Sequence, residues 1–406
     1  MRDISPASKP YIQVHSDVAL GILVCERKDD PPFAESSFIK RLHVIGARRG
    51  MRLFAFDPWT WEPRNETVKA WVWNIGKSRW ESGRRKLPTI VYDRSWPETE
   101  EEKNRYRQAM RNIRTSRKIR FLNGRLPHKG KVYEVLSKDR ALAAIIPPTA
   151  LYKGSASLSA WLRKHRHAAF LKPIAGSQGR RVVSIARTEE GRFRLAGRQQ
   201  DNRPVDLICE SEQEAIQRLE RWIGVRSYLM QPLLELKGQS AESLDFRELM
   251  QKDKFGRWTS TGVAARLGAP GSVTANLHGG GKAASAEEVL TELFGEQRGN
   301  ALLQEMRRIS FLIVARLEET FGRFAEIGLD YGVDRGGTLW FLEANSKPGR
   351  TAMGSAGEGA AQAAAEQPLS YARSILLRLA TTDMRRPPQG GGYASPGRVI
   401  HEFDHL

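Results

Sequence analysis

The stretch 326–349, EIGLDYGVDRGGTLWFLEANSKPG, constrains this chain more than any other. Two strand-like runs, 327–333 and 338–344, flank turn residues at 334–337, which predicts an antiparallel hairpin. Pairing Val333 with Thr338 sets Tyr331 opposite Trp340, Leu329 opposite Leu342 and Ile327 opposite Ala344, an apolar face. Side chains alternate along a strand, so the other face carries Glu326, Gly328 and Asp330 beside Phe341, Glu343 and Asn345. The oxygens of Asp330, Glu343 and Asn345 converge there, and Gly328, expected opposite Glu343, leaves space beside them. Hard oxygen ligands on a rigid hairpin suit Mg²⁺, which takes one or two carboxylates plus substrate phosphates. The plainer alternative is the polar outer face of an ordinary hairpin. The continuation NSKPG at 345–349 weighs against it.

The rest of the chain reads as α/β. Residues 17–26, 33–49 and 51–57 form a strand, a helix and a strand, the unit that builds a parallel sheet. A hairpin is expected at 71–80, turning at 74–77, and a short strand at 89–92. Thr99 and Glu102 form a capping box before a helix whose Tyr106, Met110 and Ile113 share one face. Short helices at 132–136 and 140–145 stop at Pro147 and Pro148. Strands at 168–173 and 181–186 bracket a glycine-containing loop. A helix at 211–222 and a strand at 227–236 follow, then strands at 244–251 and 258–266 joined by a tight turn. Helices are expected at 287–294, at 301–321 with a core stripe of Leu302, Met306, Ile309, Ile313 and Leu317, and at 368–379. The expected divisions are a small α/β domain at 1–115, two further units at 116–230 and 231–384, and a mobile Pro- and Gly-rich tail at 385–406.

Charge narrows the partners. The net charge is +19 and the isoelectric point about 10.1, which implies a polyanionic substrate or partner. Residues 103–131 hold eleven Lys or Arg and no acid; a solvated helix face is the bland reading, a surface for an anion the sharper one. No zinc spacing, helix-turn-helix or RNP pattern accompanies the charge, so no specific nucleic-acid role is expected. No apolar run approaches the ~18 residues of a membrane span, and residues 1–16 lack the apolar core of a secretory signal. Cys25 and Cys209 lie in apolar runs and read as free thiols of a cytoplasmic protein.

The pattern Glu343-x-Asn345-x-x-Pro348-Gly349 resembles the metal-binding signature of ATP-grasp ligases. The resemblance extends to FLKPIAGSQG at 170–179, to YLMQPLL at 228–234, and to Lys131 near a helix start. DFR at 245–247, Gln251 with GRW at 256–258, Arg266, Asn276 with Gly279, Gly280 and Gly281, and EIGLD at 326–330 are similar to the endospore coat-associated YheC/YheD-type branch. The resemblance implies an ATP-grasp fold, with two nucleotide-binding subdomains after a small N-terminal domain. It implies ATP and Mg²⁺ as cofactors and an ADP-forming carbon–nitrogen ligase acting through an acyl phosphate. By that resemblance Asp330, Glu343 and Asn345 hold magnesium, and Lys131 and Lys172 contact phosphates. Gly176, Ser177, Gln178 and Gly179 close over those phosphates, and Gln231, Leu233 and Leu234 hold the adenine. Pro232 departs from the pattern by removing a backbone donor. Arg266 and Arg247 would stabilise the transferred phosphoryl group. Asn276, Gly279, Gly280 and Gly281 would line the acceptor site for an anionic small molecule or acidic peptide. Spore coat association is implied as well. A kinase that stops at phosphorylation, and a coat scaffold that keeps a nucleotide fold, remain open alternatives.

Overall fold

The computed structural model describes residues 19–384 apart from 29, 117–118, 177–178, 241, 270–271, 273, 276 and 278–279. At 116 and 380–384 it describes the backbone alone. The expected tail at 385–406, and Ser177, Gln178, Asn276 and Gly279, lie outside the described residues.

Three sheets carry the chain. The first comprises β1 (Leu20–Leu23), β2 (Leu53–Phe56), β3 (Thr67–Asn74), β4 (Arg79–Lys86), β5 (Ile90–Asp93) and β6 (Arg120–Phe121), in the order β4-β3-β2-β1-β5-β6. Helix α1 (Ser36–Arg48) joins β1 to β2, which run parallel as the β-α-β reading requires. Helix α2 (Glu100–Ser116) opens with the expected box: Thr99 Oγ1 accepts from the Glu102 N–H (3.1 Å) and Glu102 from the Thr99 N–H (3.3 Å). This sheet runs past residue 115 to take in β6.

Helix α3 (Lys129–Ser137) leads to the second, antiparallel sheet. Its strands are β7 (Ala150–Leu151), β8 (Ala168–Pro173), β9 (Val183–Arg187), β10 (Phe193–Arg198), β11 (Pro204–Cys209) and β12 (Tyr228–Gln231), ordered β11-β10-β9-β8-β12-β7. Helices α4 (Ser155–Lys164) and α5 (Glu212–Ile223) seal one face through Leu158, Leu162, Ile216 and Leu219. The strand expected to reach 236 ends at Gln231, because Pro232 has no N–H for the ladder.

The third sheet is β13 (Leu244–Lys252), β14 (Trp258–Leu267), β15 (Lys282–Ser285), β16 (Glu326–Val333) and β17 (Leu339–Asn345), ordered β15-β14-β13-β16-β17. Helices α6 (Ala286–Phe294) and α7 (Glu296–Phe321) cover it, and the α7 stripe from Leu302 to Leu317 is buried as its spacing predicts. Helix α8 (Glu358–Met384) closes the fold, with Leu369, Tyr371 and Leu376 packed into the first sheet's core. It starts ten residues before Pro368, where the helix was expected to begin. Pro368 cannot donate to the Ala364 carbonyl, which accepts instead from Gln251 Nε2 and Arg350 Nε, both at 3.1 Å. Side chains from outside the helix thus satisfy the acceptor that the proline abandons. Among the described residues, no helix is long and apolar enough to cross a membrane.

The β16–β17 hairpin forms in a register different from the expected one. Val333 pairs with Leu339 and Tyr331 with Phe341, after which the ladder skips Leu342 and pairs Asp330 with Glu343 and Gly328 with Asn345. Phe341 therefore lies in the core against Tyr331 and Tyr133, not beside the acids. Glu326 is fully buried and is not part of the polar group around Asp330. Gly328 faces Asn345 and leaves no open space: a Cβ there would meet Pro348 Cβ at 2.8 Å and Arg247 Nη1 at 3.3 Å. Gly328→Ala should therefore cost about 1–3 kcal/mol by overpacking. Urea denaturation checks this, and an unchanged midpoint would show that the strand is not held against Pro348.

Candidate active site

A cavity of about 1500 Å³ opens between the second and third sheets and extends to Glu35, Trp96 and Lys103 of the first domain. Its floor comes from three sources. From β8 comes Lys172, from β13 and β14 come Asp245, Arg247 and Arg266, and from the hairpin come Asp330, Glu343 and Asn345. Asp245 and Arg247 share a face of β13 because they are two residues apart, and Arg266 pairs with Asp245 across the ladder.

The bulge at Leu342 decides which side chains reach this floor. Strict alternation would put Phe341, Glu343 and Asn345 on one face. The skipped residue changes the phase, so Phe341 stays in the core while Glu343 stands beside Asp330 at the cavity. Nothing in the local sequence marks Leu342, as a glycine would have done.

Asp330 is nearly buried and grips two guanidinium groups. Arg247 binds it in a fork, through Nε to Oδ1 and Nη2 to Oδ2 (2.8 Å). Arg266 reaches Oδ2 at 3.1 Å while forking onto Asp245 (2.5 and 2.8 Å). Burial pushes the Asp330 carboxyl up, but the two arginines outweigh it and hold it down at about 2. Asp245 is raised, burial outweighing its Arg266 partner. Glu343 carries one cationic partner, Lys129 Nζ at 2.8 Å. Asn345 donates weakly to Asp330 Oδ2 (3.4 Å).

Lys172 is 6% exposed, with its ammonium nitrogen against the Tyr133 hydroxyl and 3.1 Å from the Leu342 carbonyl. Burial and the neighbouring Lys129 charge bring its pKa down to about 7, against the pull of Glu343 and Asp330. Lys131, expected beside it, is not: it is exposed and paired with Glu134 at 3.0 Å. Helix α3 begins at Lys129 and puts Lys129 and Tyr133 on one face at i, i+4, whereas two residues on is a turn of about 200°. The lysine that reaches the cavity is Lys129. Lys129, Tyr133 and Asp245 are the site residues that motif spacing alone missed. The starting residue of α3 and the alternation in β13 were the available signals.

The remaining residues divide. Gly176 and Gly179 line the cavity with φ of 151° and 66°, conformations that favour glycine. Arg181 follows at φ 60°, its carbonyl fixed by Tyr228 Oη (2.9 Å) and Trp222 Nε1 (3.2 Å). Gln231, Leu233 and Leu234 also line the cavity, and Gln231 Nε2 donates to Thr149 Oγ1 at 2.8 Å. Gly280 and Gly281 are not among the lining residues; Ser272, Thr274 and Leu277 of the same loop are.

The donor chemistry at the hairpin fits a divalent cation only in part. Among the described residues, no three His, Cys, Asp or Glu gather into a metal site. Two carboxylates and an amide face the cavity, a set that suits Mg²⁺ when substrate oxygens complete the shell. Asn345, which engages Asp330 through Nδ2, keeps its amide oxygen for this, and Glu343 can join as Lys129 is drawn off. Asp330 can join only as an arginine is drawn off to another anion.

The YheC/D-like ATP-grasp family matches residues 118–375. The endospore coat-associated protein YheC of Bacillus subtilis (strain 168) is 26% identical over 336 residues, covering 83% of this chain and 90% of that relative. The endospore coat-associated protein YheD of the same organism is 24% identical over 327 residues, covering 79% and 70%. Among solved structures, the D-cycloserine synthetase DcsG aligns with a TM-score of 0.52 at 13% identity, over 89% of this chain and all of that one. That likeness bears on the fold, which is the ATP-grasp one: a small α/β domain followed by two subdomains that flank the cavity.

The ion pairs make a prediction about stability. Asp330→Asn should destabilise the protein by about 3 kcal/mol at neutral pH, because it leaves two buried guanidinium groups under-compensated. A depressed carboxyl contributes stability above its unfolded value of about 3.9 and loses it as pH falls towards 2. Wild-type stability should therefore fall more steeply than that of Asp330→Asn between pH 5 and 3. Parallel slopes in denaturant titrations would refute the pairing.

Proposed function

Because the chain belongs to the YheC/D-like ATP-grasp family, we propose that it uses ATP and Mg²⁺ to activate a carboxylate as an acyl phosphate and joins it to an amine. The observation that carries this reading is the meeting of Lys129, Lys172, Arg247 and Arg266 with Asp330, Glu343 and Asn345 on one cavity floor.

Phosphoryl transfer needs positioning and neutralised charge. Lys129 and Lys172 would bind the phosphates as point charges, and Gly176 and Gly179 would let the loop backbone approach them. Glu343 and Asn345, with Asp330, would hold magnesium, which supplies charge neutralisation across the terminal phosphates. A substrate carboxylate oxygen attacks the γ-phosphorus and the bond to the β-phosphate oxygen breaks, releasing ADP. The amine nitrogen then attacks the acyl carbon, phosphate leaves, and the nitrogen loses a proton. Arg266 and Arg247 would hold the transferred phosphoryl group, each removed partner costing about 3 kcal/mol. Gln231, Leu233 and Leu234 are our candidates for the adenine wall.

We further propose an acidic peptide or other polyanion as one substrate. Lys103, which opens the basic run, and Lys129, two residues before its end, both line the cavity, and the names of the Bacillus relatives support a setting in the spore coat.

Glu343→Gln should lower ADP release by ~10²-fold or more while the protein stays folded, and Lys131→Met should leave ADP release unchanged. A folded Glu343→Gln protein with wild-type turnover would sink the mechanism. Phosphate release that requires the amine separates a ligase from a kinase. Replacing Arg107, Arg111 and Arg114 with Gln should lower kcat/KM for the anionic substrate and flatten its salt dependence while sparing ATP affinity. Turnover indifferent to both salt and that triple change would remove the polyanion from the reading. Affinity for nucleotide should fall as pH rises through about 7, where Lys172 loses its proton. Calorimetry between pH 6 and 8 tests this, and a flat profile would show that the phosphates do not depend on that charge.

A further inference from the structure

We infer that Tyr133 is a positioning residue for the phosphate lysine, an inference that rests on the nucleotide reading of this site. Lys172 belongs to β8 of the second sheet, Leu342 to β17 of the third, and Tyr133 to α3. The Tyr133 hydroxyl donates to the Leu342 carbonyl and accepts from Lys172 Nζ, and Lys172 Nζ also donates to that carbonyl (3.1 Å). The three groups close a triangle in which one hydroxyl both fixes the carbonyl and receives the lysine. An ammonium has three N–H groups, so this leaves one for the cavity, which Lys172 lines. The Nζ also lies 4.7 Å from the centre of the Tyr133 ring, a second attraction for the cation.

Two features make the arrangement specific. The carbonyl belongs to the skipped residue of the hairpin, immediately before Glu343, so the lysine is indexed to the same backbone that sets the acids. On α3, Tyr133 is four residues after Lys129, which pairs with Glu343. One helix face therefore holds both consecutive hairpin residues, 342 through Tyr133 and 343 through Lys129. Tyr133 is 4% exposed and packs edge-on against Phe341, so its ring is rigid. A long lysine side chain loses considerable rotamer freedom on binding an anion. Tyr133 removes that freedom in advance.

The test is a double-mutant cycle read by calorimetry with a magnesium complex of a non-hydrolysable ATP analogue. Tyr133→Phe keeps the ring and should weaken binding about tenfold, the loss of one charged hydrogen bond. In a Lys172→Met background the same change should have no further effect, because the group it positions is gone. Thermal melts confirm folding, and Tyr133→Met replaces the Phe variant if that does not fold. Wild-type binding with Tyr133→Phe within twofold, or two losses that multiply in the double variant, would overturn this inference and leave the nucleotide reading standing. No binding by the wild-type protein would overturn both.

Discussion

One extra residue in β17 sets the register on which the site depends. Up to Phe341 the strand delivers apolar side chains to the core shared with α7, and from Glu343 it delivers polar ones to the cavity. Phe341 and Glu343 are two residues apart and would share a face of a regular strand, so sending one to the core and the other to the cavity needs a change of phase. Leu342 supplies it. Its carbonyl is then held by Tyr133 and Lys172, so the irregularity is tied to a side chain of the opposite subdomain.

The first domain bears on the same hairpin from the other end. Asn123 donates to the Ser346 carbonyl, Lys347 reaches Asp93 at 2.7 Å, and Arg94 donates to the Pro348 carbonyl at 3.2 Å. Glu326, at the base of β16, is buried against the Tyr92 hydroxyl (2.6 Å), Gln251 (3.0 Å), Arg94 (3.6 Å) and Arg350. Burial pushes the Glu326 carboxyl up, yet Arg350 and Arg94 hold it below the usual range. A buried charge surrounded in this way contributes little net stability, but it fixes which groups can meet. Here it fixes β5 and the run after β17 to the same hairpin. The α8 carbonyl of Ala364, left free by Pro368, joins the set through Gln251 and Arg350. Glu326, Tyr92, Arg94 and Gln251 are not among the lining residues, whereas Arg350 is, so this polar cluster braces the strands from behind and reaches the cavity only through Arg350.

Much of this was legible in the sequence, where local rules suffice. The α7 stripe, the parallel β1–α1–β2 unit, the Thr99–Glu102 box and the turn before Trp258 follow from spacing or side-chain chemistry within a few residues. The polar group of Asp330, Glu343 and Asn345 was legible as a group, although through a register that placed Phe341 wrongly. What failed depends on distant contacts. Pro368 stands inside a helix because Gln251 and Arg350 come to its orphaned acceptor. The skip at Leu342 is stabilised by Tyr133, more than two hundred positions earlier. The resemblance points to Lys131, but α3 starts at Lys129, and two residues along a helix is a turn of about 200°, so Lys129 and not Lys131 lines the cavity.

If the site takes ATP and Mg²⁺ as proposed, the charges on the cavity floor must exchange partners. Asp330 is shared by Arg247 and Arg266, Glu343 faces Lys129, and Lys172 has two neutral acceptors. Each cation is thus held near an oxygen weaker in charge than a phosphate. In a partly buried site such pairs are costly to break singly but exchange readily when an anion and a dication arrive together. A phosphate drawing off Lys129 or an arginine would free a carboxylate for a metal ion. A metal ion taking that carboxylate would free the cation for the phosphate. Neither ligand alone would leave the remaining charges balanced, so on the proposed function a polyphosphate and a divalent ion should bind jointly rather than separately, a coupling that must act equally in both directions.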